Sequence, residues 1–176
     1  AYGKFWGDDR TEGTLISMRK MPWIAGQFAW TGFDYLGECF PFKWPGRNAS
    51  FGIIDMVGFP KESYYVYKVD WTDEPNVYVI PQNWNWKQFD NMPIPVWVYS
   101  NCEEVELFLN KQSLGIKKID RDQSLHAEWN VRYRPGELKA VGLKDGKPIC
   151  SNIIRTAEAP ARLQLTADRS EIASDG

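Results

Sequence analysis

The sequence predicts a mainly β fold in which a β-sandwich follows a shorter section that mixes helix and strand. Three observations support this prediction. Residues 77–155 alternate between apolar and polar side chains in about seven short runs separated by turn residues. Residues 11–71 instead contain two runs with helical spacing and one apolar run typical of a strand. The polar, proline-terminated stretch 72–75 lies between the two sections and is predicted to be a linker.

The first section begins with a predicted helix over residues 11–21. Thr11 can cap this helix, and Pro22 ends it because the residue before a proline disfavours helical backbone. The apolar run 27–30 is predicted to be a strand, and it opens at Gly32 into an aromatic and acidic loop. A strand that ends in such a loop is typical of one wall of the active site in a barrel enzyme.

A second helix is predicted over residues 61–71. Tyr64, Tyr67 and Trp71 repeat at helical spacing and form one apolar stripe, which is expected to pack on another element. Two helices and one or two strands are too few to enclose a core. We therefore interpret residues 1–74 as the end of a (β/α)8 barrel, an α/β remnant that is not an independent domain.

Seven strands are predicted after the linker, with turn residues between them. They cover residues 77–80, 95–100, 104–110, 114–119, 125–133, 137–144 and 148–155. Their spacing is that of an immunoglobulin-like β-sandwich, which we assign to residues 75–157. The run 162–167 alternates again after a second linker, so residues 158–176 are expected to begin a further domain of the same kind.

Composition limits the classes of function that fit the chain. The formal net charge is -2, with 21 basic and 23 acidic side chains, which offers no basic face for nucleic acid. Aromatic residues make up 15% of the chain and include nine tryptophans. This excess fits sugar binding because the C–H faces of pyranose rings stack on aromatic rings, although most of the tryptophans are expected to lie in a core. No apolar run has the length of a membrane span, so membrane insertion is not expected.

Cysteine and histidine give no pattern of a metal or redox centre. Cys39, Cys102 and Cys150 form no CxxC pair, and free thiols are expected. His126 is the only histidine, and its neighbours in the alternation face inward, so it is expected to be an ordinary exposed strand residue. No phosphate-binding loop is present. No metal and no other cofactor is therefore expected.

Trp30 lies at the end of the predicted barrel strand, where side chains reach an active site. It is interpreted as a stacking platform for a sugar, and the alternative is a core tryptophan. Asp34 and Glu38 lie four residues apart on one loop, but a retaining glycosidase needs two carboxyls about 5 Å apart, normally from different strands. Asp34 is therefore expected to hydrogen-bond at the rim of the site, and Glu38 to pair with Arg47 or with a backbone amide.

Trp84 and Trp86 bracket Asn85 in a polar loop of the sandwich. Both are expected to be exposed. One interpretation is that they reach over the mouth of the barrel and touch substrate, and the other is that they form an apolar seam between barrel and sandwich. The sequence leaves these two interpretations open.

Two groups of motifs resemble parts of a known enzyme family. Three stretches of the first section resemble the end of the catalytic barrel in glycoside hydrolase family 2: residues 27–38 (QFAWTGFDYLGE), 51–55 (FGIID) and 58–61 (GFPK). The resemblance is greatest to the β-galactosidases of Bacteroides-type bacteria. The immunoglobulin-like domain that follows this barrel is similar to residues 84–86 (WNW), 105–110 (VELFLN) and 135–140 (PGELKA).

The resemblance implies a retaining exo-glycosidase with two catalytic glutamates that hydrolyses terminal β-galactosides, or related β-glycosides, in glycans. Both glutamates are expected to precede residue 1, and Glu12 lies in a helical pattern, so it is not assigned as the nucleophile. By position, Trp30 corresponds to the tryptophan that lines the family's sugar subsite, and Asp34 to the acidic residue four positions later. No catalytic residue is expected in this chain, which by itself should be inactive, and the partner of the parent protein is a carbohydrate.

Two other classes of function also fit the sequence. A carbohydrate-binding module would hold glycan on Trp84 and Trp86 without cleaving it. A purely structural sandwich would brace the barrel or form contacts between copies in a homo-oligomer. The resemblance does not choose the sugar, because the family also contains glucuronidases and mannosidases. It does imply a periplasmic or secreted location.

Overall fold

The computed structural model describes residues 9–39, 43–171 and 173. Within them the chain forms two α-helices, nine β-strands and one short 3₁₀ turn. The elements are α1 (Asp9–Arg19), β1 (Tyr35–Leu36), β2 (Asn48–Ala49), α2 (Glu62–Trp71), β3 (Val77–Ile80), the 3₁₀ turn (Lys87–Phe89), β4 (Pro93–Ser100), β5 (Glu104–Leu109), β6 (Gln112–Lys118), β7 (His126–Arg132), β8 (Glu137–Lys144) and β9 (Lys147–Arg155). Neither helix is long and apolar enough to cross a membrane.

Strands β3 to β9 form a β-sandwich of two antiparallel sheets, as the sequence predicts. One sheet has the order β3-β4-β7 and the other the order β6-β5-β8-β9. The core between them is filled by alternating apolar positions, such as Val96 and Val98 of β4 and Val105 and Leu107 of β5, which have no exposed surface. Alternation decides burial because successive residues of a strand point to opposite faces. The ends of the seven strands differ from the predicted ends by two residues at most.

The three-stranded sheet is covered on both faces, and β3 shows the consequence. All four of its residues are buried. Val77 and Val79 face the sandwich core, whereas Tyr78 and Ile80 face α1 and α2. Tyr65 of α2 stacks on Tyr78, with ring centroids 3.3 Å apart and planes 7° from parallel, and burial raises the pKa of the Tyr78 hydroxyl. The two helices are therefore docked on the outer face of the sandwich.

The buried face of α2 differs from the predicted aromatic stripe. Val66 and Val69 have no exposed surface and pack toward the sheet. Trp71 is 58% exposed, and Tyr64 and Tyr67 are only half-buried. Tyr67 of the predicted stripe packs against the same cluster. The fully buried face of α2 is nevertheless the valine face, because helical periodicity marks more than one candidate face in this run and contact with the sheet selects between them.

Helix α1 begins and ends two residues earlier than predicted. Thr11 consequently lies inside the helix and does not cap it. Leu15 and Ile16 are its buried apolar residues. After Arg19 the chain continues only as turns before Pro22, because the proline prevents the residues just before it from joining the helix.

The strand predicted over residues 27–30 does not form. The chain there has no strand partner among the described residues, and Phe28 is fully exposed. Pairing begins farther along, where Phe33 makes a parallel bridge to Ile54. The side-chain pattern of a strand is present at 27–30, but a strand also needs a neighbour that satisfies its backbone N–H and C=O groups. The interpretation of residues 1–74 as the end of a barrel stays a prediction.

The strand predicted over residues 162–167 is also absent, for the same reason. Residues 157–171 form no helix or strand, and Leu163 and Leu165 are both 98% exposed. Apolar side chains in alternation need a second sheet or strand to cover them, and the described part of the chain places none against this run. A further domain that begins at residue 158 stays a prediction.

Candidate functional site

The loop after residue 30 is folded around the carboxylate of Asp34. Its Oδ1 atom accepts a hydrogen bond from the backbone N–H of Gly52 at 2.8 Å and another from Nζ of Lys61 at 2.6 Å. The side chain of Asp34 is only 7% exposed. A buried charge is tolerated where it is paired and hydrogen-bonded in this way. The carboxylate therefore ties together three separate stretches of the chain.

Gly52 allows this close approach. It is buried, and a Cβ atom at this position would collide with backbone atoms of Phe33 and Asp34. Beside it, the N–H of Asp34 bonds to the carbonyl of Ile54 at 2.9 Å. Sequence reasoning missed the roles of Gly52 and Lys61, because they lie 18 and 27 residues from Asp34 and such contacts leave no local pattern.

Trp30 lies at the start of this loop, with 77% of its surface exposed. The hydroxyl of Tyr35 donates a hydrogen bond to Oε2 of Glu38 at 2.5 Å, which raises the pKa of Tyr35, while the nearby Trp30 side chain lowers it. The expected partners of Glu38 are therefore corrected. It pairs with Tyr35 and not with Arg47, whose guanidinium lies 4.9 Å from the ring centre of Trp44.

The surroundings of Trp30 are chemically suited to a sugar. A pyranose ring can stack its C–H face on an exposed indole, while Tyr35 and Glu38 exchange hydrogen bonds with sugar hydroxyl groups. Within this chain Trp30 is not part of a buried core. Its role as a sugar platform stays a prediction.

A groove of about 520 Å³ opens between the first section and the sandwich. Its lining residues are Asp55, Phe59, Pro60, Lys61, Glu62, Pro81, Gln82, Asn83 and Trp86. One side is shaped by Asp55, whose Oδ1 accepts hydrogen bonds from the N–H groups of Val57 and Phe59 at 2.9 and 2.8 Å. On the other side the indole N–H of Trp86 bonds to the carbonyl of Asn83 at 3.1 Å. The groove thus combines two aromatic rings with charged and amide side chains.

Trp84 and Trp86 occupy different environments although they are two residues apart. Trp84 has no exposed surface, its indole N–H bonds to the carbonyl of Arg134 at 2.9 Å, and its ring lies 5.2 Å from that of Tyr133. The expectation that Trp84 is exposed and touches substrate is therefore wrong, because its side chain belongs to the sandwich core. Trp86 is half-buried and packs on Phe89. For Trp86, a seam between the sections and contact with a ligand both remain open.

The expected exposure of His126 is also corrected. It faces away from the sandwich core, as expected, but α1 covers it, so only 11% of its side chain is exposed. Its Nδ1 lies 2.8 Å from the carboxylate of Glu12, its Nε2 lies 3.0 Å from that of Glu128, and its ring stacks 4.2 Å from Trp97. Burial lowers the pKa of His126, but the hydrogen bonds and charges of the two carboxylates outweigh it and raise this pKa above 6.5.

Glu12 anchors α1 to the sheet. It is buried, and it also accepts hydrogen bonds from the N–H of Leu125 and the hydroxyl of Ser124. Burial raises its pKa, but the bond and charge of His126 and the other donors outweigh burial and lower the pKa below 4.5. These contacts give Glu12 a structural role. Among residues 9–39, 43–171 and 173, no group of three His, Cys, Asp or Glu is arranged to hold a metal ion.

Comparison with known proteins finds relatives along nearly the whole chain. A family model described as a domain of unknown function (DUF4982) matches residues 91–150, which lie in the sandwich. A β-galactosidase of Bacteroides ovatus is 43% identical to this chain over 172 residues. That match covers 97% of the chain and 20% of the relative.

Solved structures share the fold. A glycosyl hydrolase family 2 member from Bacteroides cellulosilyticus matches 95% of this chain and 26% of its own, with a TM-score of 0.79 and 29% identity. A β-glucuronidase of Parabacteroides merdae matches 89% of this chain and 20% of its own, with a TM-score of 0.68 and 30% identity. The chain therefore spans about a fifth to a quarter of the length of these relatives. Because sequence and fold agree over both sections, the chain belongs to glycoside hydrolase family 2 and corresponds to one segment of its larger members.

Proposed function

We propose that the chain is part of a retaining exo-glycosidase that hydrolyses terminal β-galactosides, or related β-glycosides, in glycans. The names of two relatives, a β-galactosidase and a β-glucuronidase, support this reaction class. In this proposal the chain supplies one wall of the sugar site. The observation that carries it is the exposed Trp30, held beside Tyr35 and Glu38.

Trp30 acts as the stacking platform, and Asp34 acts through the loop that carries it. A platform raises the rate only if the ring is held where the transition state needs it. The bonds from Gly52 and Lys61 to Asp34 hold the backbone just after Trp30. Asp34 is therefore a positioning residue in this proposal, and its carboxylate is engaged with the protein itself.

The groove beside Trp86 receives the part of the glycan beyond the terminal sugar. Lys61 supports this extension, because it lines the groove and its Nζ is bonded to Asp34, so the groove and the Trp30 loop are neighbours. Asn83 and Glu62 offer hydrogen-bonding groups, and Trp86 offers a ring for a second sugar.

We further propose that the catalytic glutamates lie in a part of the parent protein outside this chain. Asp34 and Glu38 are the carboxylates nearest Trp30 in sequence, and both have protein partners, Lys61 and Tyr35. They also share one loop, whereas retaining hydrolysis needs two carboxyls about 5 Å apart on either side of the scissile bond. The purified chain is therefore expected to leave chromogenic β-galactosides and β-glucuronides intact. Hydrolysis that disappears when a glutamate of the chain is changed to Gln would refute this part of the proposal.

The platform is tested in a protein that carries this chain together with the catalytic glutamates. Trp30→Ala should lower kcat/KM at least tenfold, because a loss of about 1.4 kcal/mol in the transition state changes a rate tenfold. Trp71→Ala is the matched control, since Trp71 is also exposed but lies on α2. Equal kcat/KM for the Trp30→Ala variant and the parent protein would contradict the proposed role.

The groove also favours a second candidate function, a non-catalytic domain that binds carbohydrate or braces the barrel. Electrophoresis of the purified chain through a galactan gel separates these possibilities. Retardation that is lost in Trp86→Ala but kept in Trp71→Ala would assign glycan binding to the sandwich. Absence of retardation would argue against glycan binding. A structural role would be favoured if light scattering shows that the parent protein is a homo-oligomer and that it dissociates when the sandwich is removed.

A further inference from the structure

Two thiols face each other at the edge of the sandwich where the sheets approach. Cys102 lies in the turn between β4 and β5, and Cys150 lies in β9. Their Sγ atoms are 3.4 Å apart, and both are free thiols. A disulfide bond is about 2.05 Å long, so the two sulfurs must approach each other by about 1.4 Å for the bond to form.

Gly142 of β8 makes room for both sulfurs. It is paired with Cys150 across the ladder between β8 and β9. A Cβ atom at position 142 would lie 2.7 Å from Sγ of Cys150 and even closer to Sγ of Cys102. Any other residue here would therefore push the two thiols out of their present position. Because Gly142 has no side chain, Cys102 and Cys150 can touch although they are 48 residues apart in sequence.

We propose that Cys102 and Cys150 form a disulfide bond by exchange with a low-molecular-weight disulfide such as oxidised glutathione. Cys150 is half-buried whereas Cys102 is only 4% exposed, so Cys150 meets the external disulfide first. Its thiolate attacks one sulfur of oxidised glutathione, forms a mixed disulfide and releases one glutathione thiolate. The thiolate of Cys102 then attacks Sγ of Cys150 and releases the second glutathione.

The exchange balances in atoms and electrons. Two protein thiols are oxidised to one disulfide, two electrons reduce oxidised glutathione to two thiols, and the two thiol protons pass to the released glutathione. Burial and the neighbouring Cys102 thiol raise the pKa of Cys150 to about 12. Because the thiolate is the attacking species, the first step is slow at neutral pH and becomes faster as the pH rises.

The bond would fasten the turn between the two sheets to strand β9. The turn that carries Cys102 runs from β4 of the three-stranded sheet into β5 of the four-stranded sheet, to which β9 also belongs. These sheets already touch here, where the N–H of Val79 bonds to Oδ1 of Asn152 at 3.1 Å. A disulfide persists in an oxidising compartment, which agrees with the periplasmic or secreted location that the family resemblance implies.

The test compares the purified chain after treatment with oxidised glutathione and after treatment with dithiothreitol. We expect the oxidised chain to lose two hydrogen atoms in intact mass and to yield one cross-linked peptide that contains Cys102 and Cys150. Its Tm should be higher by roughly 5–15 °C, because the cross-link restricts the unfolded chain. Formation of the bond should be faster at pH 9 than at pH 7.

Serine variants identify the pair. Cys102→Ser and Cys150→Ser should each abolish the mass loss and the rise in Tm, whereas Cys39→Ser should keep both. The proposal is overturned if the folded wild-type chain gives only a glutathione adduct, if the cross-linked peptide contains Cys39, or if both thiols of the folded chain stay alkylatable after oxidation. These outcomes do not depend on glycosidase activity.

Discussion

The carboxylate of Asp34 shows how much local structure one residue can organise. Its bonds to Gly52 and Lys61 join the loop after Trp30 to the segment that precedes α2. The loop has little regular structure of its own, since β1 and β2 contain two residues each. Removal of the carboxylate should therefore loosen this loop before it affects the sandwich.

Asp34→Ala is expected to speed amide hydrogen exchange in residues 31–39 and 43–54 by about 10- to 100-fold. The physical reason is that hydrogen bonds to a charged group contribute roughly 1.5–3 kcal/mol, and this free energy is lost from the local opening reaction. Asp34→Asn keeps an acceptor for Gly52 but loses the charge that pairs with Lys61, so it should have a smaller effect. Exchange is measured by mass spectrometry at constant pH.

Glu38→Gln is the matched control for Asp34, because Glu38 lies on the same loop but is exposed. Its hydrogen bond with Tyr35 is at the surface, where solvent screening weakens such contacts, so the exchange should change little. Unchanged exchange in Asp34→Ala would mean that other contacts hold the loop.

Helix α1 and strand β7 are joined by a pair of titrating side chains. Glu12 of α1 lies 2.8 Å from His126 of β7, and Glu128 contacts the second ring nitrogen of the same histidine. Folding raises the pKa of His126 and lowers that of Glu12. Each shift adds stability in a defined range of pH.

The pair should make the free energy of unfolding depend on pH at both ends of a plateau. The contribution of His126 is complete below pH 6.5 and is lost as the pH rises through its raised, folded-state pKa. The contribution of Glu12 is present above pH 4.5 and is lost as the pH falls through its lowered pKa. The measurement is urea unfolding from about pH 3 to about pH 9, a range that extends beyond the ordinary pKa values of both groups.

Glu12→Gln should lower stability by about 2 kcal/mol on the plateau, because a charged hydrogen bond is replaced by a neutral one. The difference from the wild-type chain should shrink above the folded-state pKa of His126, where the imidazole is neutral in both proteins. A difference that stays constant up to pH 9 would mean that the ion pair does not link α1 to β7 and that Glu12 acts only through the bond from Leu125.

At the scale of the whole molecule, the helices and the sandwich share one apolar cluster. Leu15 of α1, Val66 and Val69 of α2 and Ile80 of β3 belong to it. Arg121, between β6 and β7, adds a polar link, since its guanidinium donates to the carbonyl of Val69 at 3.0 Å. The three-stranded sheet thus serves both the sandwich core and the helix contact, which couples the two sections.

This shared sheet predicts that α2 and the sandwich unfold together. Val66→Ala should lower the free energy of unfolding by about 1–3 kcal/mol, because it removes buried methyl groups. The same change should shift far-UV circular dichroism and tryptophan fluorescence transitions equally. Trp71→Ala is the control on the exposed face of α2, with an expected effect within about 0.5 kcal/mol. Two separate transitions in the wild-type chain would contradict the coupling.

Several features of this protein follow from local pattern. The seven sandwich strands were predicted because a period of two recurs between turn residues, and α2 was predicted because its apolar residues repeat at helical spacing. The role of Trp30 as a sugar platform was predicted from its position at the end of a barrel strand, and it stays a prediction. The motifs around it also indicated glycoside hydrolase family 2, to which the comparisons assign the chain.

The tertiary structure decided which faces and which pairs are used. Trp84 is in the core and Trp86 at a groove, and α2 buries valines although its aromatic stripe had the same period. The runs 27–30 and 162–167 alternate like strands but lack a partner among the described residues. Sequence patterns record the spacing along one element, whereas contacts such as Asp34 with Lys61 and Cys102 with Cys150 arise when distant elements meet and leave no periodic trace.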